Sequence, residues 1–216
     1  VDLFLPNAKK ENLLELVTEA AAAKKQCTTA ELQGEEDGEQ RSETTKGKKR
    51  NRAYLKVQNG CNQYCTYCII PYVRGSLTSR PEQEIVDEVK ALVQQGYQEV
   101  VVTGIHLSSY GVNSDSGSFL ELQGKPLLSL LNAINGVEGL KRIRLGSLEP
   151  RIITPEFVKE LAEIPKICPH FHLSLQSGCD TVLKRMNRHY TANNYLERVE
   201  ILRQYPLDVA VKTART

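Results

Sequence analysis

No apolar run in this chain of 216 residues approaches the length that spans a bilayer, so a membrane protein is not expected. Tryptophan is absent and aromatic residues make up only 6%, and no aromatic-rich platform for single-stranded bases is visible. The formal net charge is only +2, too small by itself to argue for nucleic acid, because affinity for phosphates comes from local patches of Lys and Arg. The opening VDLFLPNAKK has no basic leader ahead of a long apolar stretch, and the end shows no retention or lipidation signal. A cytoplasmic address is the default expectation.

What is present suits a globular protein. Hydrophobic residues make up 40% and charged residues 25%, and 216 residues can bury a sizeable core in one domain, or in one domain with a fragment of another. Three of the 6 cysteines fall between positions 61 and 68. Without a secretory signal, such clustering favours metal binding over a disulfide framework.

Residues 31–52 are polar throughout, switch from acidic to basic, and read as a linker. Before them, residues 1–30 hold a short apolar stretch and one amphipathic helix, too little for a domain. From residue 53 to 216, apolar runs short enough for strands alternate with segments of helical period. Strands are expected at Ala53–Val57, Gln98–Thr103, Lys141–Leu145, Phe171–Leu175 and Leu207–Val211. The clearest helix follows Pro81, with Ile85, Val89, Leu92 and Val93 on one face and Gly96 as its stop. Further helices fit Pro126–Ile134, Pro155–Glu163, Asp180–Met186 and Ala192–Gln204. This alternation implies an α/β fold with a parallel sheet, open or barrel-like, whose ligands sit at the carboxyl ends of the strands.

The segment CNQYCTYC places Cys61, Cys65 and Cys68 on a loop directly after the first strand. Three thiolates can hold three corners of a four-iron four-sulfur (4Fe-4S) cube, and the short loop closes around it at little entropic cost. The fourth iron then lacks a protein ligand and can chelate S-adenosylmethionine (SAM). An electron passed through it can break a carbon–sulfur bond and release a deoxyadenosyl radical. The competing reading is a zinc site that recruits His106, His172 or Cys179 as fourth ligand. His106, His170, His172 and His189 otherwise read as packing or hydrogen-bonded residues, and Cys27, Cys168 and Cys179 as buried or idle thiols.

The stretches KVQNGCNQYCTYCIIPYVRG, SRP, TGIHLSSYG, IRLGSLEP and FHLSLQSGCDTVLKRMNRHYT resemble the radical SAM methylthiotransferases, in particular the branch acting on threonylcarbamoyladenosine of tRNA. The resemblance implies a radical SAM (βα) barrel with parallel strands, incomplete at its C-terminus over residues 53–216. It also implies a transferase that inserts sulfur and a methyl group at an adenine carbon next to the anticodon. Carried onto this sequence, Cys61, Cys65 and Cys68 would ligate the SAM-binding cluster and Tyr67 would lie against the adenine of SAM. Thr103, Gly104 and Glu149 would meet its amino group, Gln176 its ribose and Arg188 its carboxylate. No catalytic side chain beyond these is assigned. The implied partners are tRNA, a flavodoxin- or ferredoxin-type electron donor and a sulfur donor.

Similar enzymes carry a second 4Fe-4S cluster in an N-terminal methylthiotransferase domain, of which residues 1–30 resemble only the last strand and helix; its ligands are absent here, so this chain looks like a fragment. Lys46–Arg52, Arg74 and Arg80 are candidates for phosphate contact. The alternatives are a methylthiotransferase for isopentenyladenosine or for a ribosomal protein, an inactive fragment, or a zinc-stabilised nucleic-acid-binding module.

Overall fold

The computed structural model describes residues 52–112, 122, 124–204 and the backbone of 210–213. Residues 1–30, the linker apart from Arg52, and the first part of the last expected strand lie outside the described residues.

Strands β1 (Arg52–Asn59), β3 (Glu99–Gly104) and β4 (Arg142–Leu145) run parallel, and the short β2 (Thr78–Ser79) pairs antiparallel with the end of β1. A second parallel set consists of β5 (Ser147–Leu148), β6 (His170–Leu173) and β7 (Ala210–Thr213). The two sets meet where Ile143 N donates to Lys166 O at 2.7 Å and Cys168 N donates to Ile143 O at 2.8 Å. They form a curled, half-barrel arrangement of parallel strands. Parallel neighbours need crossovers, and helices α2 (Glu82–Gln94), α3 (Lys125–Asn135), α4 (Pro155–Ala162), α5 (Asp180–Arg185) and α6 (Ala192–Gln204) provide them. A one-turn helix, α1 (Ile70–Arg74), follows the cysteine loop.

The local chemistry explains these elements. Val100, Val101 and Val102 make β3 a continuous apolar run because it lies inside the parallel sheet, covered on both faces. In α2, Ile85 and Val89 are fully buried while Leu92 and Val93 pack at the edge of the core, so the expected stripe faces the sheet. That helix ends where Gly96 N donates to Val93 O at 2.8 Å and Tyr97 N to Leu92 O at 3.1 Å. Thr154 caps α4, its Oγ1 accepting from Phe157 N at 3.2 Å, and Phe157 is driven into the core. No helix among the described residues is long and apolar enough to cross a membrane.

At the amino ends of β1, β3 and β4, the buried Glu99 carboxylate gathers three arginines: Arg142 Nε at 2.7 Å, Arg144 Nε at 3.1 Å and Arg52 Nη1 at 3.8 Å. Burial raises the Glu99 pKa, but the hydrogen bonds from Arg142 and Arg144 outweigh it and hold the carboxyl below its usual range. A carboxylate lowered in the folded state stabilises above its unfolded pKa of about 4.3, and that contribution is lost as pH falls through the folded value. Glu99→Gln is therefore expected to cost about 2 kcal/mol at neutral pH, since Arg52 and Arg142 are themselves largely exposed. Urea melts of wild type and variant should converge as pH drops below about 4.

Candidate functional site

The site starts where β1 ends. Gly60 adopts φ 71°, and a Cβ there would stand 2.0 Å from the Ser76 carbonyl oxygen. Only glycine lets the chain turn this close under residues 75–76, where Cys61 N donates to Gly75 O at 3.4 Å. Gly60→Ala combines left-handed strain with a backbone clash and is expected to cost at least about 2 kcal/mol, readable as a lowered denaturation midpoint.

The cysteine loop then runs from Cys61 to Cys68, fastened to the end of α5 by four contacts. Thr66 N donates to Met186 O at 3.3 Å and Thr66 Oγ1 to Arg185 O at 3.0 Å. Asn187 Nδ2 reaches Gln63 O at 3.2 Å and Tyr64 O at 3.1 Å. Asn187 can do this because α5 ends in a Schellman turn, with Asn187 at φ 57°, Asn187 N donating to Lys184 O and Arg188 N to Leu183 O. Asparagine tolerates that left-handed position better than most residues.

The same turn delivers Arg188. Its Nη1 donates to Cys65 Sγ at 3.3 Å, and its guanidinium lies 5.1 Å from the centroid of the Tyr190 ring. Tyr190 is anchored in turn, its hydroxyl 2.6 Å from Ser174 O and 2.7 Å from Leu175 O beyond β6. Burial raises the Tyr190 pKa to about 12 despite the nearby Arg188 cation. Arg188 Nε is buried with no hydrogen-bond partner, as is Asn62 Oδ1 next to Cys61.

Cys61, Cys65, Cys68, Tyr67, Glu149, Gln176 and Arg188 all line one cavity of about 170 Å³, together with residues such as His106 and Ser174. Cys61 and Cys65 are buried and Cys68 partly so. Burial pushes the Cys61 thiol up, the Gln63 backbone N–H pulls it down, and Cys65 and Cys68 add a rise of their own. A centre that gathers these thiols must expel their protons, so its assembly is favoured at higher pH.

The other expected cofactor residues differ in what holds them. Tyr67 bridges the loop to the end of β6, its hydroxyl donating to Gln176 Oε1 at 3.0 Å, and Gln176 has φ 68°. Glu149 is already paired, with Arg151 Nε on Oε1 at 2.8 Å and Arg151 N on Oε2 at 3.2 Å. Thr103 and Gly104 end β3 as expected, although the cavity wall begins at the next residue, Ile105. Gly104 serves a close approach of the chain itself, since a Cβ would stand 2.9 Å from the Gln58 side chain. Buried Gln58 ties the two strand ends together, donating to Asn59 O and Gly60 O and accepting from His106 N at 2.7 Å.

His106 is also engaged at both ring nitrogens, with Gln63 Nε2 3.2 Å from Nε2 and Ser109 Oγ 2.5 Å from Nδ1. An amide nitrogen only donates, so Nε2 accepts and Nδ1 carries the proton. Burial, then the Arg151 and Arg188 cations, hold its pKa at about 3, so the ring stays neutral. His172 Nδ1 pairs with Ser147 Oγ at 2.7 Å, and Cys179 is exposed at the start of α5. Of the three fourth ligands a zinc site could recruit, only His106 reaches the cavity of the cysteines. Among the described residues no three His, Cys, Asp or Glu side chains stand as a single-ion site. The donor set instead suits a larger thiolate-held centre: three thiols on one loop, a buried guanidinium against one of them, and an unpaired guanidinium N–H able to meet an anionic group.

Gln58, Gln63, Asn187 and Tyr190 were not singled out from sequence. Only Asn187 carried a readable signal, an asparagine just past the end of an expected helix.

Residues 55–215 match the family described as the Radical SAM superfamily, and the chain belongs to it. It is 44% identical over 155 residues to the threonylcarbamoyladenosine tRNA methylthiotransferase MtaB of Bacillus subtilis, covering 72% of this chain and 33% of that protein. It is 37% identical over 214 residues to the tRNA-2-methylthio-N(6)-dimethylallyladenosine synthase of Moorella thermoacetica, covering 99% of this chain and 46% of that protein. The chain thus spans less than half the length of these curated relatives. Among solved structures, the cobalamin-dependent S-adenosylmethionine radical enzyme OxsB aligns with a TM-score of 0.59 at 11% identity, over 74% of this chain and 23% of that one. That likeness concerns the fold alone.

Proposed function

We propose that this chain is the radical SAM core of a tRNA methylthiotransferase, with Cys61, Cys65 and Cys68 holding a 4Fe-4S cluster. The supporting observation is convergence. Residues following β1, β5 and β6 and the turn after α5 bring the three thiols, Tyr67, Glu149, Gln176 and Arg188 to one cavity.

When bound, such a cluster with SAM on its open iron supplies one-electron cleavage of SAM. The chain's own residues bind and orient. Arg188 holds its guanidinium against Cys65, where it offsets thiolate charge and offers a buried N–H to the SAM carboxylate. Tyr67 presents its ring at the rim, fixed by Gln176, for contact with the adenine of SAM. Glu149, held by Arg151, keeps a carboxylate facing the cavity for the SAM amino group. Ile70, Ile105 and Leu148 contribute apolar wall and limit water at the cavity.

The substrate we favour is threonylcarbamoyladenosine next to the anticodon, on the strength of the TGIHLSSYG loop after β3. The alignment along 99% of the chain with a dimethylallyladenosine synthase supports the second reading. We assign residues 1–30 to the end of an N-terminal methylthiotransferase domain, 31–52 to a linker and 53–216 to the radical SAM core, in a cytoplasmic enzyme served by separate electron and sulfur donors. The test is a tRNA nucleoside profile of cells lacking the full gene. Loss of the methylthio form of threonylcarbamoyladenosine alone supports the first substrate, loss of the dimethylallyl form supports the second, and an unchanged profile contradicts both.

A further inference from the structure

The rim of the cluster cavity is aromatic and basic. Tyr64, Tyr67 and Tyr72 expose 53%, 55% and 75% of their surfaces, and Ile69 and Val73 beside them expose 63% and 51%. Tyr64 and Tyr72 meet edge to face, with ring centroids 6.1 Å apart, so two rings from the loop and from α1 form one surface. Tyr67 and Ile70, which line the cavity, belong to the same loop and helix as these rings.

The two stretches of chain that meet here carry basic residues and no acidic ones. From Arg52 to Pro81 the sequence contains no Asp or Glu, and neither does the stretch from Thr181 to Leu196. Hydrogen bonds from Thr66 and Asn187 hold these two stretches together, which brings the end of α5, with exposed Lys184 and Arg185, to the loop that carries Tyr64 and Tyr67. Exposed rings beside the exposed Lys184 and Arg185 fit a partner with flat faces and negative charge, which describes unpaired nucleotides.

We propose that Tyr72, with Tyr64, Ile69 and Val73, forms a stacking platform for the unpaired RNA nucleotides that flank the target adenosine. This rests on the tRNA reading above. An adenine entering the cavity carries its neighbours onto the rim, and the rim offers rings to stack on and Lys184 and Arg185 to meet phosphates. The platform escaped the sequence reading because its tyrosines are few and gain their density only when the loop and α1 fold together.

The test uses the full chain with its cluster reconstituted, and measures binding of a labelled anticodon stem–loop RNA and of a fully paired hairpin. Tyr72→Ala is expected to weaken stem–loop binding about tenfold, the loss of one stacked base, and to leave the paired hairpin unaffected. Tyr72→Phe, which keeps the ring, should bind as wild type, and matched thermal melts show that the alanine variant is folded. Undiminished stem–loop binding by Tyr72→Ala overturns the platform. So does a Tyr72→Ala effect confined to cluster reduction by an acidic flavoprotein, which would make the face a protein dock. A wild-type chain that binds neither RNA overturns the tRNA reading together with this inference.

Discussion

Cys65→Ala is expected to leave the reconstituted chain with less than about a tenth of the wild-type iron and acid-labile sulfide. A cube held by three thiolates loses a corner, and among the described cysteines Cys168 and Cys179 lie outside the cavity and cannot substitute. The variant also leaves Arg188 Nη1 without its Cys65 acceptor, a loss of about 1 to 3 kcal/mol for a buried charged donor. Its thermal midpoint should therefore drop even before any cluster is added. Cys168→Ala, by contrast, should load iron as wild type does. Equal iron in the Cys65 and Cys168 variants would remove the loop from the metal site.

Arg188→Met is expected to spare the cluster and weaken SAM. The methionine replaces the aliphatic stem and keeps contact with Tyr190, but it removes the buried N–H that has no partner within the chain. A charged hydrogen bond to a carboxylate is worth about 1.5 to 3 kcal/mol, so the Kd for SAM should rise roughly ten- to a hundredfold. Arg188→Lys should rescue little, because an ammonium cannot reproduce the fork or stack on the Tyr190 ring. Equilibrium dialysis with cluster-loaded protein reads this directly. A loss of iron instead of SAM affinity would make Arg188 a structural support of the loop.

The main frame was legible from residue pattern. Parallel strands covered on both faces must be apolar runs, and the helices between them must carry one apolar stripe, so β1, β3, β4 and β6 overlap the expected strands. Helix α6 begins and ends at the expected residues, Ala192 and Gln204. The short pieces were not legible. β2 and β5 have two residues each and exist through their partners, not through any alternation of their own. α1 begins at Ile70 with Pro71 next, in a segment too short for a helical period.

At the site, the spacing of the thiols carried the cysteines, whereas the supporting contacts are long-range. The hydrogen bonds from Asn187 span 124 and 123 positions, and that from Arg188 to Cys65 spans 123. No local pattern encodes such a meeting. The pairing of Glu149 with Arg151 lay two residues apart, yet nothing in GSLEPRI distinguishes a clamped carboxylate from a solvated one.

The most direct test of the account is electron paramagnetic resonance of the anaerobically reconstituted, reduced chain with and without SAM. A 4Fe-4S signal that changes on adding SAM is the predicted result. A colourless protein holding one equivalent of zinc, or a cluster signal indifferent to SAM, would contradict it.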